Sequence, residues 1–289
     1  MDSPLRLSTR PWIWPALLSL DAPVIAVLWL LLFSRALRMH VPRAETAVLA
    51  MAVWLIYVAD RILDSLGESE REPLAPRHRF YRDYRTAFVA PFCAILLLAG
   101  WLAWTRLDER TLRGGVVLAA VVGAYFGVVH LSDSRAQRWF PKELAVALLF
   151  CAGTCLPVIA RIGDPSVPQV AVFAIFALAA WMNTALIEYA EWITLREGGA
   201  EPPAALTVAV ARGALPIGIV IGALALAALA APVFASLRPV LLAEAASVLA
   251  LAALGASWQR MSPYALRISA DAVLCTPAIV LAALALVRP

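Results

Sequence analysis

Ala47-Val-Leu-Ala-Met-Ala-Val-Trp-Leu-Ile56-Tyr-Val-Ala-Asp60-Arg61-Ile-Leu-Asp64 is the stretch on which the reading of this chain turns. Its apolar residues run from Ala47 to Ile56 without strand-like alternation, and the charges arrive only at the end. Such a run reads as a helix crossing a hydrocarbon layer and ending at its edge. Asp60 and Asp64 are four residues apart, so they lie one turn apart on one face of that helix. Ionisable groups at the rim of a membrane are expensive to keep there, which makes them functional candidates. Paired carboxylates facing a cavity suit Mg²⁺, a hard cation that shares oxygen ligands with substrate phosphates.

The rest of the chain follows the same pattern. Of 289 residues, 62% are apolar and 15% charged, and the mean hydropathy is +0.80. Soluble domains are about half apolar and about a quarter charged. Nine apolar segments approach the ~20 residues a crossing helix needs: about 14–37, 45–64, 86–105, 112–131, 143–161, 167–192, 205–231, 238–257 and 264–287. The expected fold is all-α, a polytopic transmembrane bundle of about nine spans, with residues 1–289 as one integral membrane domain. Long Ala/Leu/Val runs exclude the short alternating strands of a β-barrel. Asp21-Ala-Pro23 interrupts the first segment and separates an interfacial stretch with Trp12 and Trp14 from the span itself. No cleavable signal peptide is expected, because the N-terminal region lacks a compact apolar core followed by a small-residue cleavage site.

Basic residues set the expected orientation. With the N-terminus cytoplasmic, that side collects Arg6, Arg10, the 71–85 arginine cluster, Arg135, Arg138, Lys142, Arg196 and Arg260. The opposite side collects Arg35, Arg38, Arg43, Arg106, Arg110, Arg113, Arg161, Arg238 and Arg288. The net charge of +4 is divided among loops, so no nucleic-acid partner is expected. Cys93, Cys151, Cys155 and Cys275 all fall in expected spans. They read as small packing residues, with no disulfide framework.

Several polar segments gather on the cytoplasmic side. The loop after Asp64 becomes basic and aromatic at Arg77-His-Arg79-Phe-Tyr-Arg82-Asp-Tyr-Arg85. It is either a positive anchor with interfacial aromatics or a lid whose guanidinium forks grip a phosphate. The fourth span ends in His130-Leu-Ser-Asp-Ser-Arg135-Ala-Gln-Arg138-Trp-Phe-Pro-Lys142-Glu143. Its cations either mark topology or complement an anionic substrate. In the sixth span, Thr184, Glu188 and Glu191 share a stripe with Asn183 beside it. This second acidic stripe has the depth of Asp60 and Asp64. The two would hold two Mg²⁺ ions, or one ion and a catalytic cation site; alternatively, Glu188 and Glu191 simply meet water. Arg267 and Asp271 read first as an ion pair within the ninth span, with a role in the site as the alternative. Glu244 has no assigned role, and Pro216 sits near the start of the seventh span, where neighbours must satisfy the freed carbonyl.

Taken jointly, these motifs resemble the UbiA superfamily of membrane prenyltransferases. The likeness rests on the nine spans, Asp60-x-x-x-Asp64 ending the second, the basic loop after it, the His130–Arg135 segment, the acidic motif ending the sixth span and the early Arg10-Pro-Trp12. It covers essentially the whole chain. The resemblance implies Mg²⁺-dependent transfer of an isoprenyl group from a prenyl diphosphate to an aromatic or other lipophilic acceptor. It implies that Asp60 and Asp64 hold one metal and Glu188 and Glu191 a second. Arg79, Arg135, Arg138 and Lys142 would contact the diphosphate, with His130 and Asn183 beside the substrate. The expected location is a bacterial cytoplasmic membrane, with the site on the cytoplasmic side. The chain departs from the family pattern at Ile56, where Asn is usual, and at Ile187, because the acids of the second motif are three residues apart rather than four. His130 and Ser134 stand where Tyr and Lys are common.

Two other classes compete with this reading. A non-catalytic UbiA-like protein that binds a lipid or a partner would explain the altered motifs. A transporter would use Glu188, Arg267 and Asp271 as an ion path, although no internal repeat supports it. A CDP-alcohol phosphotransferase is disfavoured, since the Gly and Ala-Arg elements of its motif are missing around Asp60.

Overall fold

A computed structural model of the chain describes residues 14–67, 76–131 and 141–286. No strand occurs among these residues. The helices are α1 (Trp14–Leu17), α2 (Asp21–Ala36), α3 (Arg43–Gly67), α4 (Pro76–Arg106), α5 (Glu109–Leu131), α6 (Lys142–Ile162), α7 (Val167–Leu195), α8 (Ala205–Arg212), α9 (Ala214–Ala228), α10 (Arg238–Ser257), α11 (Pro263–Val273) and α12 (Thr276–Leu286). Seven spans are long and apolar enough to cross a bilayer: α3, α4, α5, α6, α7, α10 with its flanking turns, and α11 with α12. The bent pair α8 and α9 makes an eighth when taken as one span. The chain is therefore a helical membrane bundle.

The first expected span differs most from its reading. It divides into α1 and α2 at Ser19, whose φ is 55°. The 16 residues of α2 rise about 24 Å at 1.5 Å each, which is short of a full crossing. The seventh expected span is also not one rod, because α8 and α9 meet at 69°. Pro216 is the physical reason: it has no N–H to offer the carbonyl of Arg212, and its ring would strike that carbonyl in a continuous helix. Beyond the bend, α9 lies close against α10. A Cβ at Gly218 would stand 2.6 Å from that of Ala252, and one at Gly222 would stand 2.7 Å from the Leu249 side chain. Small residues four apart let membrane helices approach this closely.

The helices α2 and α7 form the middle of the bundle. Their aromatic rings interlock, with the centroids of Trp29 and Phe176 4.5 Å apart and those of Phe33 and Phe173 5.2 Å apart. The Trp29 indole N–H donates to the carbonyl of Leu274 at 2.9 Å, in the turn between α11 and α12. Around this centre, α7 packs against α6, α8, α10 and α11, while α4 leans on α3 and α5 on α6. The outward faces of α4 and α5 present large apolar side chains such as Leu97, Trp104 and Val117, as a lipid-facing surface does.

The elbow between α1 and α2 is tied down by three side chains. Arg61 donates to the carbonyl of Ala16 at 2.9 Å, and Trp54 donates to that of Leu18 at 3.0 Å. The hydroxyls of Ser19 and Tyr81 lie 2.9 Å apart. The Arg61 guanidinium also sits 5.6 Å from the centroid of the Tyr81 ring. These contacts fix where α2 begins, and so where Asp21 points.

Candidate active site

A cavity of about 150 Å³ opens at the end of the bundle where α3, α5 and α7 finish and α2 and α6 begin. Each wall has a reason in the chain. The last turns of α3 bring Tyr57 and Asp60, α5 brings Tyr125, and α6 opens with Lys142 and Glu143. The polar stripe of α7 brings Asn183, Thr184 and Glu188; α2 adds Asp21, and α11 adds Arg267 and Asp271.

Four residues singled out in the sequence thus share one cavity: Asp60, Lys142, Asn183 and Glu188. Glu191 is not part of its lining but holds Arg267, which is, with Nη1 to Oε1 at 3.1 Å. Arg135 and Arg138 lie outside the described residues, as do the side chains of Asp64, Arg79 and His130. Asp64 itself falls on α3, one turn beyond Asp60.

The charges are held across helices. Lys142 Nζ lies 3.3 Å from Glu188 Oε1, linking α6 to α7. Asn183 donates through Nδ2 to Asp271 Oδ1 at 3.2 Å, linking α7 to α11. In place of the expected ion pair between Arg267 and Asp271, Arg267 bonds Glu191 and Asp271 accepts from Asn183, so each residue serves a neighbouring helix rather than its own. Glu143 is 5% exposed. Its Oε2 accepts from the Thr207 hydroxyl of α8, but its Oε1 has no hydrogen-bond partner among the described residues. The Nε of Arg267 is in the same condition.

Sequence reasoning missed Asp21 and Glu143 as cavity residues and placed a site role for Asp271 second. Asp21 read as an interruption, Glu143 as the tail of a basic segment, and Asp271 as half of an internal pair. A signal existed for Glu143, which stands one residue after Lys142 at the mouth of an otherwise apolar helix.

Among the described lining residues, the carboxylates of Asp21, Asp60, Glu143, Glu188 and Asp271 outnumber the cations Lys142 and Arg267. A pocket of this kind favours a bound cation, because neighbouring like charges are costly to hold together in a low-dielectric site. Among the described residues, no group of three His, Cys, Asp or Glu side chains is placed to hold a metal. Mg²⁺ fits in its other habit, one or two protein carboxylates completed by water and phosphate oxygens. A volume of about 150 Å³ is room for roughly five waters. It suits a polar headgroup rather than a long chain. No family model, no curated protein and no solved structure matches the chain.

Proposed function

We propose that this chain transfers an isoprenyl group from a prenyl diphosphate to an aromatic or other lipophilic acceptor within a membrane, as a divergent relative of the UbiA superfamily that its motifs resemble. The observation that carries the reading is the convergence of Asp60, Lys142, Asn183 and Glu188, from three helices, on one small polar cavity. The proposal counts α2 as a short, protein-enclosed first span, which brings the total to nine. It places the N-terminus and the cavity on the cytoplasmic face of a bacterial membrane, following the Lys/Arg pattern.

In this reading Asp60 and Asp64 hold Mg²⁺, which when bound neutralises charge on the diphosphate oxygens. Lys142 and Arg267 supply fixed positive charge where the leaving group gathers electrons. As the C1–O bond breaks, its electron pair departs with the diphosphate. Tyr57 and Tyr125 in the cavity wall offer aromatic faces to the allylic cation. The acceptor then forms the new bond to C1 and loses a proton. The small cavity holds the headgroup, so the prenyl tail extends along apolar helix surface.

A second reading has its own observation. Glu188 and Glu191, the acids of the second motif, are already engaged by Lys142 and Arg267. Built-in cations then stand where a second metal would, either in a one-metal enzyme or in a binding protein without catalysis.

One experiment separates these cases: binding of farnesyl and geranylgeranyl diphosphate to the chain in nanodiscs, with Mg²⁺ or with EDTA, beside Asp60→Ala. Binding is expected to need both Mg²⁺ and Asp60. Asp60→Ala should lower affinity by at least about 100-fold, since even residues that only support a metal ligand cost 10- to 100-fold. Tight binding without product would favour the non-catalytic reading, and no binding under any condition would end both.

A further inference from the structure

The opposite end of the bundle carries a different arrangement of charge. Here α2 finishes at Ala36, and a groove runs between its last turns and α12, lined by Leu31, Ser34, Arg35, Arg38, Met39 and Leu281. Its volume is about 860 Å³. Residues 31, 34, 35 and 38 share one helical face, so both arginines stand at the mouth of the groove. Leu31 lies below them, about 10 Å along the helix axis from Arg38.

The backbone at Arg38 adds an independent observation. The Met39 N–H donates to the Ser34 carbonyl at 2.8 Å, closing α2 with a left-handed cap. Arg38 occupies the left-handed position with φ 54°, where glycine is the usual residue. A side chain there costs conformational energy that glycine would not, and it points to a use for the guanidinium. Arg35 spends one donor on the Leu284 carbonyl at 3.2 Å. Neither arginine has a carboxylate partner among the described residues, whereas Arg113 and Arg161 at the same end are both paired.

We propose that this groove binds an anionic phospholipid of the surrounding leaflet. Two unpaired guanidinium groups over a leucine-lined channel match a phosphate head with hydrocarbon beneath it. A zwitterionic lipid brings its own cation against the arginines. A soluble anion makes no use of Leu31 and Leu281.

The test uses the purified full chain, titrated in detergent with phosphatidylglycerol or phosphatidylcholine, with bound lipids counted by native mass spectrometry. Wild type is expected to retain phosphatidylglycerol over phosphatidylcholine. Arg38→Gly and Arg35→Gln are each expected to lower that retention about fivefold. Arg38→Gly relieves the cap, so its melting temperature should match or exceed wild type and a folding defect cannot imitate the result. Equal retention of the two lipids overturns the proposal, and so does an Arg38→Gly variant that binds like wild type. Displacement of phosphatidylglycerol by excess inorganic phosphate would also overturn it, in favour of a soluble-anion site.

Discussion

The two ends of this bundle treat buried charge in opposite ways. At the end away from the cavity, Arg161 donates to both oxygens of Glu45, at 2.8 and 2.7 Å, and lies 3.6 Å from Asp108. Thr111 closes the group by donating to Asp108 from its N–H at 2.9 Å and from its hydroxyl at 2.7 Å. At the cavity end, carboxylates exceed cations among the described lining residues, and Glu143 and Arg267 each keep a buried atom without a partner. A closed network fastens α3, α5 and α6 together. An open one of the same chemistry is unfinished in a way that a ligand completes.

That contrast can be broken most forcefully at Arg161. Arg161→Met would strand the Glu45 carboxylate, which is 2% exposed. The expected loss is about 3–5 kcal/mol, the usual result of removing one partner from a buried pair. Thermal unfolding in detergent measures it, and the double variant with Glu45→Leu should recover most of the loss. An unchanged melting temperature for the single variant would mean that the closed network does not clamp the helices.

At the cavity end, Thr207→Val removes the hydroxyl that serves Glu143. We expect a cost of about 1–3 kcal/mol for a carboxylate left unsatisfied, and added Mg²⁺ should recover part of it, as it would not for Arg161→Met. Unfolding scans with Mg²⁺ and with EDTA decide the point.

Glu188→Gln probes the cavity end alone. Its pair with Lys142 has side chains 49% and 27% exposed, so stability should change by no more than about 1 kcal/mol. Released from its carboxylate, Lys142 should strengthen metal-free diphosphate binding about two- to fivefold, the equivalent of such a pair. Identical metal-free affinities would remove Lys142 from the site.

The smallest effect belongs to Asp108. Burial pushes its carboxyl upward, but the Thr111 hydrogen bonds, aided by Arg161, outweigh that and hold it below its ordinary value. A depressed carboxyl stabilises the fold above the unfolded value and loses that contribution as pH falls through the folded one. Asp108→Asn should therefore flatten a slight acid-side decline in melting temperature, by lowering the neutral-pH value a little toward the acid one.

What the sequence made legible follows from the same physics. Polar groups within or at the mouth of an apolar helix are conspicuous, so Asp60, Asn183, Lys142 and Glu188 stood out before any fold was known. Helical periodicity assigns a residue to a face but does not say which helix that face will meet. Arg267 and Asp271 show the consequence, since spacing alone pairs them while the fold sends one to Glu191 and the other to Asn183. Asp21 was visible as a break in an apolar run, yet only the elbow held by Arg61 and Trp54 brings it to the cavity. Pro216 was noted but read as tolerated within one span, whereas the 69° bend shows only once α9 settles against α10. Glu244, fully buried on α10, is as conspicuous a charge in an apolar run, yet neither of its oxygens is hydrogen-bonded among the described residues and the sequence assigns it no role.

The bond from Trp29 to the carbonyl of Leu274 joins residues 245 positions apart. On a ribosome, α2 is made long before the turn after α11. Between those moments a helix too short to span the bilayer unaided has no partner for its indole and no α7, α11 or α12 around it. Its lodging in the membrane in that interval falls to α3, the next segment synthesised, which already packs against it. The bundle is thus sealed only as its later helices arrive, and a nascent chain that stops before α11 leaves α2 held by α3 without its indole bond.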